Sequence, residues 1–138
     1  MIEIVQAHPS RMLDGGRLLR VLEATLAGEG AEAGEVTVVL TDHAHVHDLN
    51  RTHLAHDYET DVLSFWLGAD DGEGPVEGEI YVDLDTAFER HQEFGASFET
   101  EVERYCVHGL LHLVGHDDAT PDEKAAMHAL EDFYLQTP

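Results

Sequence analysis

Residues 105–114 (YCVHGLLHLV) are apolar on nearly every side of a helix, and the run stops at Gly115. A helix that is hydrophobic all round has to be buried, so the rest of the chain must wrap around this one. The same segment carries His108 and His112, four residues apart. At about 100° per residue their rings share one face, within reach of a single ion. The plainer reading is two imidazoles bonding polar groups inside the core. The sharper one is two metal ligands, with the chain reversing at Gly115 so that His116, Asp117 or Asp118 returns as a third. Three protein ligands and an open position describe a catalytic zinc rather than a structural one. The lone cysteine, Cys106, rules out a multi-cysteine site and an internal disulfide.

The flanking sequence predicts what surrounds this helix. Ser97 caps it, and Glu99 and Glu101 in its first turn suit the positive end of the helix dipole, so it spans about 98–114. Alternating residues at Ile2–Val5 and the β-branched run Val36–Leu40 predict two strands, with a helix through Leu18, Leu22 and Leu26 between them that stops near Gly28. Thr41 and Asp42 cap a further helix reaching about His53, with Val46, Leu49 and His53 on one face. Asp61–Leu67 and Glu79–Val82 predict two more strands, separated by the polar, turn-forming stretch GADDGEGPVEG. A helix over 84–94 closes at Gly95. Thr120-Pro121-Asp122-Glu123 is a complete capping signature for a last helix, whose expected core stripe is Ala126, Leu130, Phe133 and Tyr134. No repeat and no glycine-rich phosphate loop follows a strand, so a nucleotide cofactor is not expected.

The chain has 138 residues, enough for one domain over 1–138, and its 43% hydrophobic content can fill a core. No apolar run approaches the ~18 residues of a membrane span, and MIEIVQAHPSR lacks the basic start and apolar stretch of a signal peptide. A cytoplasmic location is expected. With 29 acidic and 7 basic residues the net charge is −22, and Lys124 is the only lysine. Such a surface repels nucleic acid, whose binding draws on Lys and Arg through counterion release. Adaptation to a very salty cytoplasm, where repulsion is screened, is the reading favoured here. Of the eleven histidines, His43, His45 and His47 are expected on solvated surface.

The metalloprotease pattern H-E-x-x-H places a glutamate base after the first histidine, where this chain has Gly109. Peptidase chemistry therefore loses its base. Zinc still lowers the pKa of water to about 7 and polarises a phosphoryl oxygen, so phosphodiester cleavage is permitted.

At these residues the sequence resembles the YbeY family of bacterial endoribonucleases, whose signature is H-G-x-L-H-L-x-G-Y-D-H. The chain reads HGLLHLVGHDD, matching at His108, Gly109, Leu111, His112, Leu113, Gly115 and Asp117 and departing at His116 and Asp118. A second family block, L-N-x-x-Y-R-x-x-D-x-P-T-D-V-L-S-F, matches at Leu49, Asn50, Asp57, Thr60, Asp61, Val62, Leu63, Ser64 and Phe65, and a third appears as Gly78-Glu79-Ile80. The resemblance implies an α+β, zincin-like fold: a small mixed sheet of about four strands packed with about five helices. It also implies one zinc held by three residues, single-strand-specific cleavage, processing of the 3′ end of 16S rRNA on the small ribosomal subunit, and a part in ribosome quality control.

Two departures bear on mechanism. The family's third histidine falls on Asp118, which makes His108, His112 and Asp118 the expected ligands, with His116 as the alternative. A carboxylate ligand adds negative charge and weakens the ion as a Lewis acid. The family's arginine falls on Leu54, which removes a bidentate phosphate clamp; Arg51, one turn earlier, is a possible substitute. Asp61 and Glu79 are the candidate proton acceptors. Glu79 could equally be a ribosomal-protein contact or a solvated charge, and Thr60, Asp61 and Ser64 could simply bond backbone at the start of a strand. Trp66 either stacks a base or fills core, and His53 and His56 are structural or exposed. Two alternatives to the nuclease stand: a non-catalytic ribosome-assembly factor with a structural metal, and a metal-dependent hydrolase of another substrate.

Overall fold

The β-branched segment around Val36–Leu40 forms one of the two inner strands of a four-stranded sheet. A computed structural model of the chain describes residues 1–53 and 61–138. The first strand, β1 (Ile2–Gln6), is followed by helix α1 (Gly15–Gly28), strand β2 (Ala33–Thr41) and helix α2 (His43–His53). Strands β3 (Val62–Trp66) and β4 (Val76–Asp83) come next. Helix α3 (Leu84–Arg90) runs into a 3-10 turn (His91–Phe94), and α4 (Phe98–Val114) and α5 (Pro121–Tyr134) complete the chain. The sheet order is β1-β2-β4-β3, with β3 antiparallel to β4 and the other pairs parallel. The mixed α+β architecture expected from sequence is present. None of the described helices is long and apolar enough to cross a membrane.

The buried face of the sheet carries Val36, Val38, Leu40, Ile80 and Val82, and α4 covers it with Val102, Cys106, Leu110 and Leu111 fully enclosed. Gly109 lies where the helix presses directly on the sheet. A Cβ there would stand 2.7 Å from Ile80 Cγ2 and 3.0 Å from Ser64 Oγ, so no side chain fits. The Ser64 hydroxyl donates to the Gly109 carbonyl at 2.8 Å, pinning the middle of α4 to β3. The missing glutamate of the peptidase pattern is thus explained by packing: the position faces the sheet.

Several expectations need correction. The segment 84–94 is not one helix; α3 ends at Arg90 and a 3-10 turn leads to Gly95, at φ 64°. Strand β4 begins at Val76, inside the stretch read as turn, because Ala33 pairs with Val76 across a bulge in β2. On α5 the buried stripe is Met127, Glu131 and Tyr134, while Ala126 and Phe133 face solvent. Glu131 turns inward because paired charges await it there. On α2 the buried residues are Val46 and Asn50, and His53 is exposed. His45 is exposed as expected, but His43 and His47 are half-buried, since His43 Nδ1 bonds Oδ2 of the buried Asp83 at 2.5 Å. Leu54, His56, Asp57 and Thr60 lie outside the described residues.

Candidate metal centre and its cleft

Helix α4 carries His108 and His112 to the edge of the sheet, and the chain turns back at Gly115, in the left-handed region at φ 115°. The return brings Asp118 to the two rings. His108 Nε2 and His112 Nε2 lie 3.0 Å apart, with the Asp118 carboxylate oxygens at 3.2 Å from the first and 3.5 Å from the second. Among the described residues, these three form the group able to share one ion.

The orientation of each ring is set from behind. His108 Nδ1 donates to Glu131 Oε2 at 2.7 Å, and His112 Nδ1 donates to the His116 carbonyl at 3.0 Å. Both acceptors require the proton on Nδ1, so each neutral ring presents a bare Nε2 lone pair. Two lone pairs and a carboxylate then converge with no donor between them. That arrangement repels itself without a cation at its centre, and its two nitrogens and one oxygen suit zinc. The Glu131 carboxylate is itself held, its Oε1 accepting from Arg104 Nη1 at 3.0 Å. Burial is the largest single influence and works against a charged His108, but the bond to Glu131 and the charges of Glu131, Asp118 and Asp61 together outweigh it and lift its pKa above the ordinary imidazole value.

His116 does not join the group. Its Nε2 meets Glu29 Oε1 at 2.5 Å, and the Tyr134 hydroxyl donates to the other oxygen of Glu29. Burial raises the Glu29 pKa, yet these two bonds and the charge of His116 more than offset it, leaving it below the usual glutamate value. The cluster ties the return loop to the ends of α1 and α5, which delivers Asp118. Asp117 is exposed.

A cleft of about 440 Å³ opens beside the three residues, lined by His108, Asp118, Asp61, Tyr105, Glu101 and Lys124 among others. Asp61 thus joins the site, and burial, the largest influence on it, pushes its carboxyl pKa up. Glu79 does not. Gly78 and Ile80 of β4 meet α4, so by strand alternation Glu79 faces the other side of the sheet, where it accepts from the Tyr81 hydroxyl at 3.1 Å. Trp66 is half-buried, its indole N–H donating to the Ala69 carbonyl at 2.8 Å. Arg51 is exposed and paired with Asp48 at 2.7 Å. Sequence reasoning missed Glu131 and Arg104; the spacing of Met127, Glu131 and Tyr134, at i, i+4 and i+7, is the signal that places Glu131 inward.

Comparison with known proteins agrees with this geometry. The family model described as Endoribonuclease YbeY matches residues 16–137. A protein named Endoribonuclease YbeY from Salinibacter ruber is 53% identical over 142 residues, covering 97% of this chain and 89% of that protein. Its namesake from Chlorobium luteolum is 40% identical over 126 residues, covering 91% and 90%. The solution structure of TM1509 from Thermotoga maritima superposes with a TM-score of 0.63 at 30% identity, covering 99% of this chain and 88% of that one. With its signature segment folded into the metal-binding corner and a family model spanning nearly its whole length, the chain belongs to the endoribonuclease YbeY family.

Proposed function

We propose that residues 1–138 act as a cytoplasmic, zinc-dependent, single-strand-specific endoribonuclease that processes the 3′ end of 16S rRNA on the small ribosomal subunit. The observation that carries this reading is the convergence of bare His108 Nε2, bare His112 Nε2 and the Asp118 carboxylate at the mouth of a cleft, in a chain of this family. Zinc held by the three residues would supply Lewis acidity to the phosphoryl group and make water a nucleophile near neutral pH. The protein's part is positional. Glu131 and the His116 carbonyl fix the two imidazoles, and Asp61, whose carboxyl burial makes a stronger base, stands on the cleft wall to take a proton from the attacking water. Glu79 is too far round the sheet to share that task. Gly109 leaves no room for a peptidase base.

The acidic surface is read as adaptation to high salt, and it gives naked RNA little attraction, so the ribosomal particle supplies much of the substrate affinity. In molar KCl the protein should cut rRNA precursor within particles faster than the same RNA free in solution, and chelator or His112→Ala should stop both. If wild type and His112→Ala are equally inert on particles while His112→Ala still supports ribosome assembly in cells, the non-catalytic assembly factor is the correct reading.

A further inference from the structure

The cationic side chains are concentrated. Of the seven Lys and Arg residues, Lys124 and Arg104 line the metal cleft, and Arg11 and Arg90 line a second cleft of about 780 Å³. The two clefts meet at Asp61, which lines both. Arg104 is spoken for, since its two terminal nitrogens bond Glu131 and Asp132. Arg11 and Arg90 are differently held. Arg11 uses Nε on Asp85 at 3.1 Å, and its guanidinium carbon lies 3.8 Å from the centre of the Phe88 ring. Arg90 uses Nε on Glu93 at 3.2 Å, with its guanidinium carbon 5.2 Å from the centre of Phe94. In both, the terminal nitrogens bond nothing among the described residues. Asp85 is satisfied internally, its carboxylate taken up by His8, Arg11 and the His43 backbone N–H, which holds its pKa below the ordinary value against the opposing effect of burial.

The aromatic partners are unusual in their own right. Phe88 and Phe94 are 49% and 60% exposed, and Phe94 lines the metal cleft. Planar cations seated on open aromatic rings match one ligand chemistry: a single-stranded polynucleotide. A guanidinium fork takes a backbone phosphate, and a ring takes a base. A duplex, with its bases stacked, cannot offer one to Phe94.

We propose that Phe94, Arg90 and Arg11 form a track that carries single-stranded RNA from the metal cleft past Asp61 into the second cleft. The track rests on the nuclease reading above and names how a strongly acidic chain grips a polyanion. Phe94 supports a base next to the reacting phosphate, and the two arginines clamp phosphates further along.

The test is fluorescence anisotropy with a short, labelled, unstructured RNA at moderate salt, with chelator present to stop cleavage. Arg11→Gln/Arg90→Gln should weaken binding at least about tenfold and lower the salt slope by about 1.4, the contribution of two phosphates on a single strand. Arg20→Gln, a loss of charge outside both clefts, should stay within about twofold of wild type. Phe94→Ala, at an exposed position that does not threaten folding, should weaken binding about five- to a hundredfold, and Phe94→Trp should restore it. If wild type binds and, with zinc, cuts RNA while both the arginine pair variant and Phe94→Ala bind as wild type does, the track is wrong and the nuclease stands. If wild type neither binds nor cuts any RNA, free or in particles, the nuclease reading falls and the track with it.

Discussion

Two helices of this protein carry histidines at the same spacing, and among the described residues only one pair makes a metal corner. On α4, His108 and His112 have ring centres 4.6 Å apart and nearly perpendicular planes, with their Nε2 atoms facing each other. On α2, His43 and His47 are also four apart, yet their rings lie 6.1 Å apart at 37°. The difference lies behind the rings. On α4 both Nδ1 atoms are claimed by fixed acceptors, Glu131 and the His116 carbonyl, which aim both Nε2 atoms at one point where Asp118 also arrives. On α2 the His43 Nδ1 is drawn to Asp83, the cap of α3, and the ring becomes part of the fold's internal bonding. Helical spacing brings two imidazoles to one face, and outer partners decide whether they act on the same ion.

The largest test of this contrast exchanges the pairs. His112→Ala should abolish stoichiometric zinc binding and reduce RNA cleavage by more than about a hundredfold, since removing an outer partner alone costs about 10–100-fold. His47→Ala should keep full zinc content by metal analysis. Loss of zinc from the α2 variant would break the comparison. Glu131→Gln should sharpen it: a carboxamide nitrogen facing His108 Nδ1 removes the acceptor, and zinc affinity measured against a competing chelator should fall about 10–100-fold. Asp83→Asn, on the α2 side, should leave that affinity unchanged.

Much of the α4 corner is legible in the sequence because several signals coincide there: an all-round apolar run, a serine cap, two histidines in register and a terminal glycine. The choice among His116, Asp117 and Asp118 is not legible from spacing. It depends on where His116 goes, and its partner Glu29 is 87 residues away along the chain. Glu131 escaped for a related reason. Apolarity cannot single out a carboxylate that turns inward, and Arg104, which makes its burial tolerable, sits on a different helix. The paired candidates Asp61 and Glu79 looked equivalent as sequence, but strand parity sends Glu79 to the far face while Asp61 lines the cleft.

Smaller effects test the frame that holds the corner. Gly109→Ala should destabilise the fold by about 1–3 kcal/mol in urea titrations, as an added methyl meets Ile80 and Ser64, while Gly115→Ala meets no neighbour but strains the left-handed turn that returns Asp118. The Glu29 cluster should be visible in the acid limb of stability. Its pKa is depressed in the fold, so its contribution is fully present above the ordinary value of 4.5 and is lost as pH falls through the lower folded value. Glu29→Gln should therefore reduce stability near neutral pH and flatten the decline of wild type below about pH 4.5, read as Tm against pH. An unchanged acid limb would remove Glu29 as the tie that positions the return loop.

The metal corner depends on Asp118 completing the α4 pair while His116 stands aside. Zinc content after dialysis against trace zinc, compared between Asp118→Ala and His116→Ala, tests this most directly. The expected result is one zinc per chain in wild type and in His116→Ala, whose backbone carbonyl still holds His112, and loss of zinc in Asp118→Ala. Retention of zinc by Asp118→Ala together with its loss from His116→Ala would contradict the assignment.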